Sequence, residues 1–123
     1  MELRKPLTDA ELEVMSVVWE SGGRASAADI YAAISKGGCE RAAVYQLIHR
    51  LIKKGMLERE NPGFVCRALI GREEVQVEET KRLVDRLFGG SAERLLVALV
   101  DPKSVSTEEI ERLRSMVKDV YEK

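Results

Sequence analysis

The stretch Arg41-Ala42-Ala43-Val44-Tyr45-Gln46-Leu47-Ile48-His49-Arg50-Leu51-Ile52-Lys53-Lys54-Gly55 decides the fold. Val44, Leu47, Ile48, Leu51 and Ile52 recur at helical spacing, and at roughly 100° per residue they share one face. The opposite face carries Ala42, Gln46, His49 and Lys53, flanked by Tyr45 and Arg50. Gly55 supplies the left-handed position at which helices stop. Arg41 to Lys54 is therefore expected to be an amphipathic helix with a basic outer face. After Gly55 the period changes. Met56-Leu57-Glu58-Arg59-Glu60 and Phe64-Val65-Cys66-Arg67-Ala68-Leu69 read as two short strands, and Asn61-Pro62-Gly63 between them is turn chemistry. The pair is a β-hairpin.

Toward the N-terminus, two more helices precede this one. Thr8-Asp9-Ala10-Glu11 has the spacing of a capping box, in which the Thr8 hydroxyl and the Glu11 carboxylate satisfy each other's backbone N–H groups. Leu12, Met15, Val18 and Trp19 follow at helical spacing, and Gly22-Gly23 closes the helix. Trp19 is read as a core residue. Ser26-Ala27-Ala28-Asp29 opens the second helix, with Asp29 near the positive end of its dipole, and Gly37-Gly38 stops it.

Toward the C-terminus the sequence is all helical. Arg72 to Phe88 carries one apolar side, and the acidic residues at its start (Glu73, Glu74, Glu78, Glu79) read as solvated surface matched to the dipole. Gly89-Gly90 breaks it, Ser91 caps a short helix, and Asp101-Pro102 breaks that one. Ser106-Thr107-Glu108-Glu109 opens a last helix that includes Val120 and Tyr121. These stripes are too rich to lie exposed, yet the segment is too short to build a full core alone. They either fold back on the preceding domain or pack against a second copy. The second outcome is preferred, with Val77, Val84, Leu87, Phe88, Leu95, Leu96, Leu99, Ile110, Leu113 and Val117 as the dimerisation residues. The expected organisation is a mostly α chain with a small β-hairpin wing. A winged helix-turn-helix domain covers 1–70 and a helical dimerisation region covers 71–123.

Composition narrows the function. Of the 123 residues 45% are hydrophobic and 33% charged, as in a soluble globular protein, and at 5% aromatic the core must be aliphatic. No apolar run reaches the roughly 18 residues of a membrane span. Met1 to Pro6 is short and polar and lacks the apolar region of a signal peptide, so a cytoplasmic protein is expected. With one histidine and two cysteines whose spacing matches no metal motif, neither a metal nor another cofactor is expected. Paired acids in a cleft pattern and a phosphate-binding loop are also missing, so an enzyme is not expected. His49 reads as solvent-facing or backbone-contacting. Cys39 and Cys66 read as spectators unless folding brings them together as a redox pair.

The overall charge of -1 hides an uneven distribution. From Arg41 to Arg67 the chain carries Arg41, Arg50, Lys53, Lys54, Arg59 and Arg67 against Glu58 and Glu60 alone, a surplus of four positive charges. Phosphate binding needs a local positive face rather than a basic protein. Helix, helix, helix, hairpin is the order of a winged helix-turn-helix, whose third helix enters the major groove. Double-stranded DNA is the expected partner. Arg41, Ala42, Ala43, Tyr45, Gln46, His49 and Arg50 face the groove or flank it, with Gln46 suited to adenine. Lys53, Lys54, Arg59 and Arg67 are expected on phosphates. Tyr45 stays open between stacking on sugar and packing at the helix flank. The rival reading is a winged-helix module that binds protein instead of DNA, and the basic window argues against it.

The order of motifs also resembles a known family. Leu7-Thr8-Asp9-Ala10-Glu11-Leu12-Glu13-Val14-Met15 with Val18-Trp19, then Leu51-Ile52-Lys53-Lys54-Gly55-Met56-Leu57, then Arg72-Glu73-Glu74 and Arg86-Leu87-Phe88-Gly89-Gly90-Ser91 are similar to the penicillinase-repressor family and the related copper-transport repressors. The resemblance implies a dimeric winged-helix repressor acting on operators in antibiotic resistance or stress, with a helical arm for self-association. In antibiotic-responsive members a membrane sensor-protease triggers cleavage within that arm. The chain departs from the pattern in several places. Ala42 and Ala43 stand where relatives carry threonines, Cys39 stands where an aromatic is usual, and the Asn61-Pro62-Gly63 turn is shorter. The position of the cleaved Asn-Phe pair is occupied near Ala98-Leu99, so the resemblance does not support regulation by proteolysis. Val120-Tyr121-Glu122-Lys123 lacks the cysteines of a copper-sensing tail. The operator sequence, the regulated genes and any small-molecule effector stay open.

Overall fold

The reciprocal cap at Thr8 sets the first helix in place. In the computed structural model, which describes residues 5–100, 103 and 105–121, Glu11 N–H donates to Thr8 Oγ1 at 3.1 Å. Thr8 N–H donates back to Glu11 Oε1 at 2.9 Å. Helix α1 runs Asp9–Glu20 and buries Val14, Met15 and Val18. Gly22, at φ +80°, turns the chain out of it. Helix α2, Ala27–Ile34, starts at Ser26, whose hydroxyl accepts from Asp29 N–H at 3.0 Å. It ends in a single 3-10 turn, Ser35–Gly37, and Gly38 at φ +88°. Helix α3 runs Arg41–Lys53, one residue short of the expected end, with Lys54 as its C-cap.

The hairpin forms as expected, from β2 (Leu57–Glu60) and β3 (Val65–Ala68) paired antiparallel with Leu57 opposite Ala68. The sheet has one more strand than the sequence suggested. Arg24–Ser26 forms β1, which pairs antiparallel with β3 and gives the order β1-β3-β2. The core lies between the three helices and this sheet. Met15, Ile30, Ile48, Leu51, Met56 and Leu57 are all fully buried there. Each such side chain contributes about 1.5–3 kcal/mol through burial. Trp19 packs against this core half-buried, and its indole N–H donates to the Ile70 carbonyl at 2.9 Å.

Helix α4 spans Arg72–Leu87, α5 Ala92–Leu99 and α6 Thr107–Tyr121. Ser91 caps α5 by accepting from Arg94 N–H at 3.2 Å, and Ser106 caps α6 by accepting from Glu109 N–H at 3.1 Å. The chain divides into two compact units, Met1–Glu79 and Thr80–Lys123. The division falls inside α4, past the Ile70–Arg72 junction, because Val75 on its opening turns is buried in the winged unit's core. The expected break at Asp101-Pro102 lies outside the described residues, as do Met1 to Arg4 and the Glu122-Lys123 end; the side chains of Val120 and Tyr121 are likewise not described. Among the described residues no helix is long and apolar enough to cross a membrane.

Candidate nucleic-acid interface

The amphipathic pattern of α3 divides its residues cleanly. Val44, Leu47, Ile48 and Leu51 are buried. Arg41, Ala42, Ala43, Gln46, His49, Arg50 and Lys53 are exposed, and Tyr45 is half-buried between the two faces. The exposed face is thus a run of small and polar side chains with cations at both ends. Ala42 and Ala43 leave the backbone of the first turn accessible to a close partner.

Aromatic contacts tie this helix to the hairpin. Arg41 lies 5.9 Å from the Tyr31 ring centre and 5.5 Å from that of Tyr45, and its Nη2 donates to the Tyr45 hydroxyl at 3.4 Å. Tyr45 meets Phe64 edge-on at 5.7 Å, and His49 lies tilted on the same ring at 5.9 Å. Arg59 covers Phe64, its guanidinium carbon 3.7 Å from the ring centre, while its Nε donates to Asn61 Oδ1 at 3.2 Å. Phe64 has φ +48°, a left-handed backbone that costs a non-glycine residue about 1–2 kcal/mol. The ring contacts and the bond from Ala27 N–H to the Phe64 carbonyl hold it there. Tyr45 is therefore a packing residue on its ring side, with its hydroxyl still at the surface helix flank. Phe64 is a residue that sequence reasoning missed. The run after Gly63 signals a strand, and nothing in it announces a left-handed aromatic.

The basic window does not all face outward. Lys54 Nζ donates to Glu11 Oε1 at 2.7 Å and to the Pro6 carbonyl at 3.1 Å, so its charge is committed inside the fold. Arg67 is paired with Glu58 and lies 3.9 Å from Glu60, which also meets Arg24 at 3.1 Å. Among the described residues, Arg24 and Arg67 are thus neutralised within the sheet, and Arg59 is not. Arg41, Arg50, Lys53 and Arg59 are the exposed cations of the window, and among the described residues none of them has an ion-pair partner. Arg50, Lys53 and Lys54, with Lys5 from the chain before α1, line a cleft of about 460 Å³.

The cysteines are both free, Cys39 exposed and Cys66 fully buried. Burial pushes the Cys66 thiol up, against a smaller opposing effect of Arg59. A neutral thiol in the sheet is poorly reactive. Among the described residues no cluster of histidine, cysteine and carboxylate groups could hold a metal ion.

A family model described as penicillinase repressor matches residues 7–119. The chain is similar to the methicillin resistance regulatory protein MecI of Staphylococcus aureus (strain N315), 28% identical over 114 residues that make up 90% of this chain and 92% of that protein. It is similar to the penicillinase repressor of Staphylococcus aureus, 28% identical over 118 residues, 93% of this chain and 92% of that protein. The solution structure of the DNA binding domain of the repressor BlaI superposes with a TM-score of 0.52 at 30% identity, covering 60% of this chain and 93% of that one.

Proposed function

From the premise that the chain belongs to the penicillinase repressor family, we propose that it represses transcription as a homodimer on a two-fold operator in double-stranded DNA. The observation that carries this reading is the outer face of α3, where Arg41, Arg50 and Lys53 stand exposed around Ala42, Ala43, Gln46 and His49. A helix presenting short side chains at its centre and cations at its ends suits the major groove. The centre approaches base edges, and the ends meet phosphates. Gln46 is the side chain of this face whose amide can pair with adenine. Arg59 extends the contact from the hairpin to a flanking phosphate. Lys54 and Arg67 act from within, holding α3 and the sheet in place.

Self-association falls to the arm, where Val77, Leu87, Leu96, Leu99, Leu113 and Val117 are exposed in the single chain. Two recognition helices one helical turn of DNA apart, about 34–36 Å, then read the two halves of one site. The names of the relatives support a role in antibiotic resistance or a related stress response, carried out in the cytoplasm where the DNA is.

The test is binding to the DNA upstream of the chain's own gene and to fragments selected from random sequence, measured over a salt series. Arg50→Ala and Lys53→Ala should each weaken binding and flatten the slope of log K against log salt by about 0.9. Unchanged affinity and slope in both variants would remove α3 from the DNA.

A further inference from the structure

The cleft at the C-terminal end of α3 is lined, among the described residues, by Lys5, Arg50, Lys53 and Lys54, none of them acidic. Arg50 and Lys53 come from the last turn of α3 and Lys54 is its C-cap. Lys5 comes from the far end of the sequence, and the reason it arrives here is Lys54. The Lys54 ammonium donates to the Pro6 carbonyl and to Glu11, which fastens the chain before α1 to the end of α3. The neighbouring residue, Lys5, is thereby held beside the exposed cations of the recognition helix.

From this arrangement we propose that the cleft is a seat for a phosphate group, with Lys5 supplying a charge that α3 alone lacks. The carbonyls at the end of a helix repel anions, so an anion site here needs several cations to offset them. Lys5, Arg50 and Lys53 provide three, and among the described residues none of them is neutralised by a carboxylate. Lys54 contributes less, because Glu11 already holds it. At about 460 Å³ the cleft has room for a phosphodiester with part of its sugars, or for a small polyphosphate. As a backbone phosphate, the occupant would lie at the rim of the operator contact, so that version of the proposal rests on the DNA reading above. As a free phosphorylated molecule, it would occupy charges the operator needs and release the DNA by competition.

Two titrations separate the sources. In the first, operator affinity of the full chain is measured over a salt series for the wild type, Lys5→Ala and Lys5→Arg. A backbone phosphate in the seat makes Lys5→Ala flatten the salt slope by about 0.9 with the order of preferred sequences unchanged, while Lys5→Arg keeps the slope. In the second, the DNA-free chain is titrated calorimetrically with sodium pyrophosphate at constant ionic strength. A seat for free phosphates gives saturable binding that Lys5→Ala removes. Either result upholds the seat and names its source. An unchanged slope together with no Lys5-dependent pyrophosphate binding overturns it. If the wild type binds no DNA, the DNA reading fails by itself, and the pyrophosphate titration alone decides the seat. Lys5 is exposed and outside every helix and strand, so its variants leave the fold intact.

Discussion

Glu11 and Lys54 meet at 2.7 Å between the first turn of α1 and the C-cap of α3. They are 43 positions apart in sequence. Glu11 is fully buried, whereas the Lys54 side chain keeps 20% of its surface in water. One carboxylate oxygen, Oε1, serves both the Thr8 N–H and the Lys54 ammonium, and the other, Oε2, is buried without a partner. The same side chain therefore closes the cap of α1 and fixes the end of α3.

Removing the cation alone leaves a buried carboxylate uncompensated. Lys54→Met should destabilise the winged unit by about 2–3 kcal/mol, below the roughly 3–5 of a fully buried pair because Lys54 is partly solvated. Glu11→Gln combined with Lys54→Met should recover part of that loss. The amide carries no charge, and its oxygen still caps the Thr8 N–H. Urea unfolding of the single and double variants measures this; a double variant less stable than Lys54→Met would contradict the pairing.

The pair also sets an acid limit. Burial pushes the Glu11 carboxyl up, but the Lys54 ammonium and the backbone and hydroxyl of Thr8 outweigh it and hold the group below its usual range. A carboxyl depressed on folding stabilises the protein above its unfolded value of about 4.3, and that contribution disappears as pH falls through the folded value beneath it. The stability difference between wild type and Glu11→Gln should be constant near neutrality and shrink below pH about 4.3. A difference that widens in acid would reverse the assigned sign.

Charge on the wing should be readable one arginine at a time. Arg59 is exposed, lies on the Phe64 ring and has no carboxylate partner among the described residues. Arg67 is engaged by Glu58 and Glu60. Arg59→Ala should reduce the salt slope of DNA binding by about 0.9, and Arg67→Ala should leave the slope nearly unchanged. Equal loss in both variants would mean that the sheet's ion pairs open on the DNA. Phe64→Ala should weaken binding without changing the number of cations, since it removes the surface on which Arg59 rests.

The contrast between Arg59 and Arg67 shows what the sequence exposes and what it hides. The apolar spacing of Val44, Leu47, Ile48 and Leu51 specifies both the helix and its inward face, and the Thr8 and Glu11 cap is visible because its partners are three residues apart. Strand β1 is only Arg24 to Ser26, too short for any period, and it exists because β3 offers it Cys66 and Val65 as register partners. The surplus of basic residues overcounts the free charge. Lys54 is withdrawn by a carboxylate from α1, and Arg67 by neighbours across the hairpin. Pairing across the fold is decided by tertiary geometry, which local spacing does not encode.

The arm gives the most direct test of assembly. Eight of the ten large hydrophobic side chains exposed among the described residues lie on α4, α5 and α6, including Leu87 at 62%, Met116 at 63% and Val97 at 67%. Helix α5 buries none of its residues in the single chain. A stable interface needs about 1,000 Å² or more of buried surface, which three apolar helix faces on each protomer can supply. Sedimentation velocity at micromolar concentration should show a dimer for the wild type and a monomer for Leu113→Asp combined with Val117→Asp. Operator affinity of the variant should fall by about 10²-fold or more, because each half-site is then bound singly. Trp19 is the only tryptophan and sits half-buried in the winged unit, so unchanged emission in the variant separates lost assembly from lost folding. A wild-type monomer under these conditions would mean that the arm covers its apolar faces within its own chain.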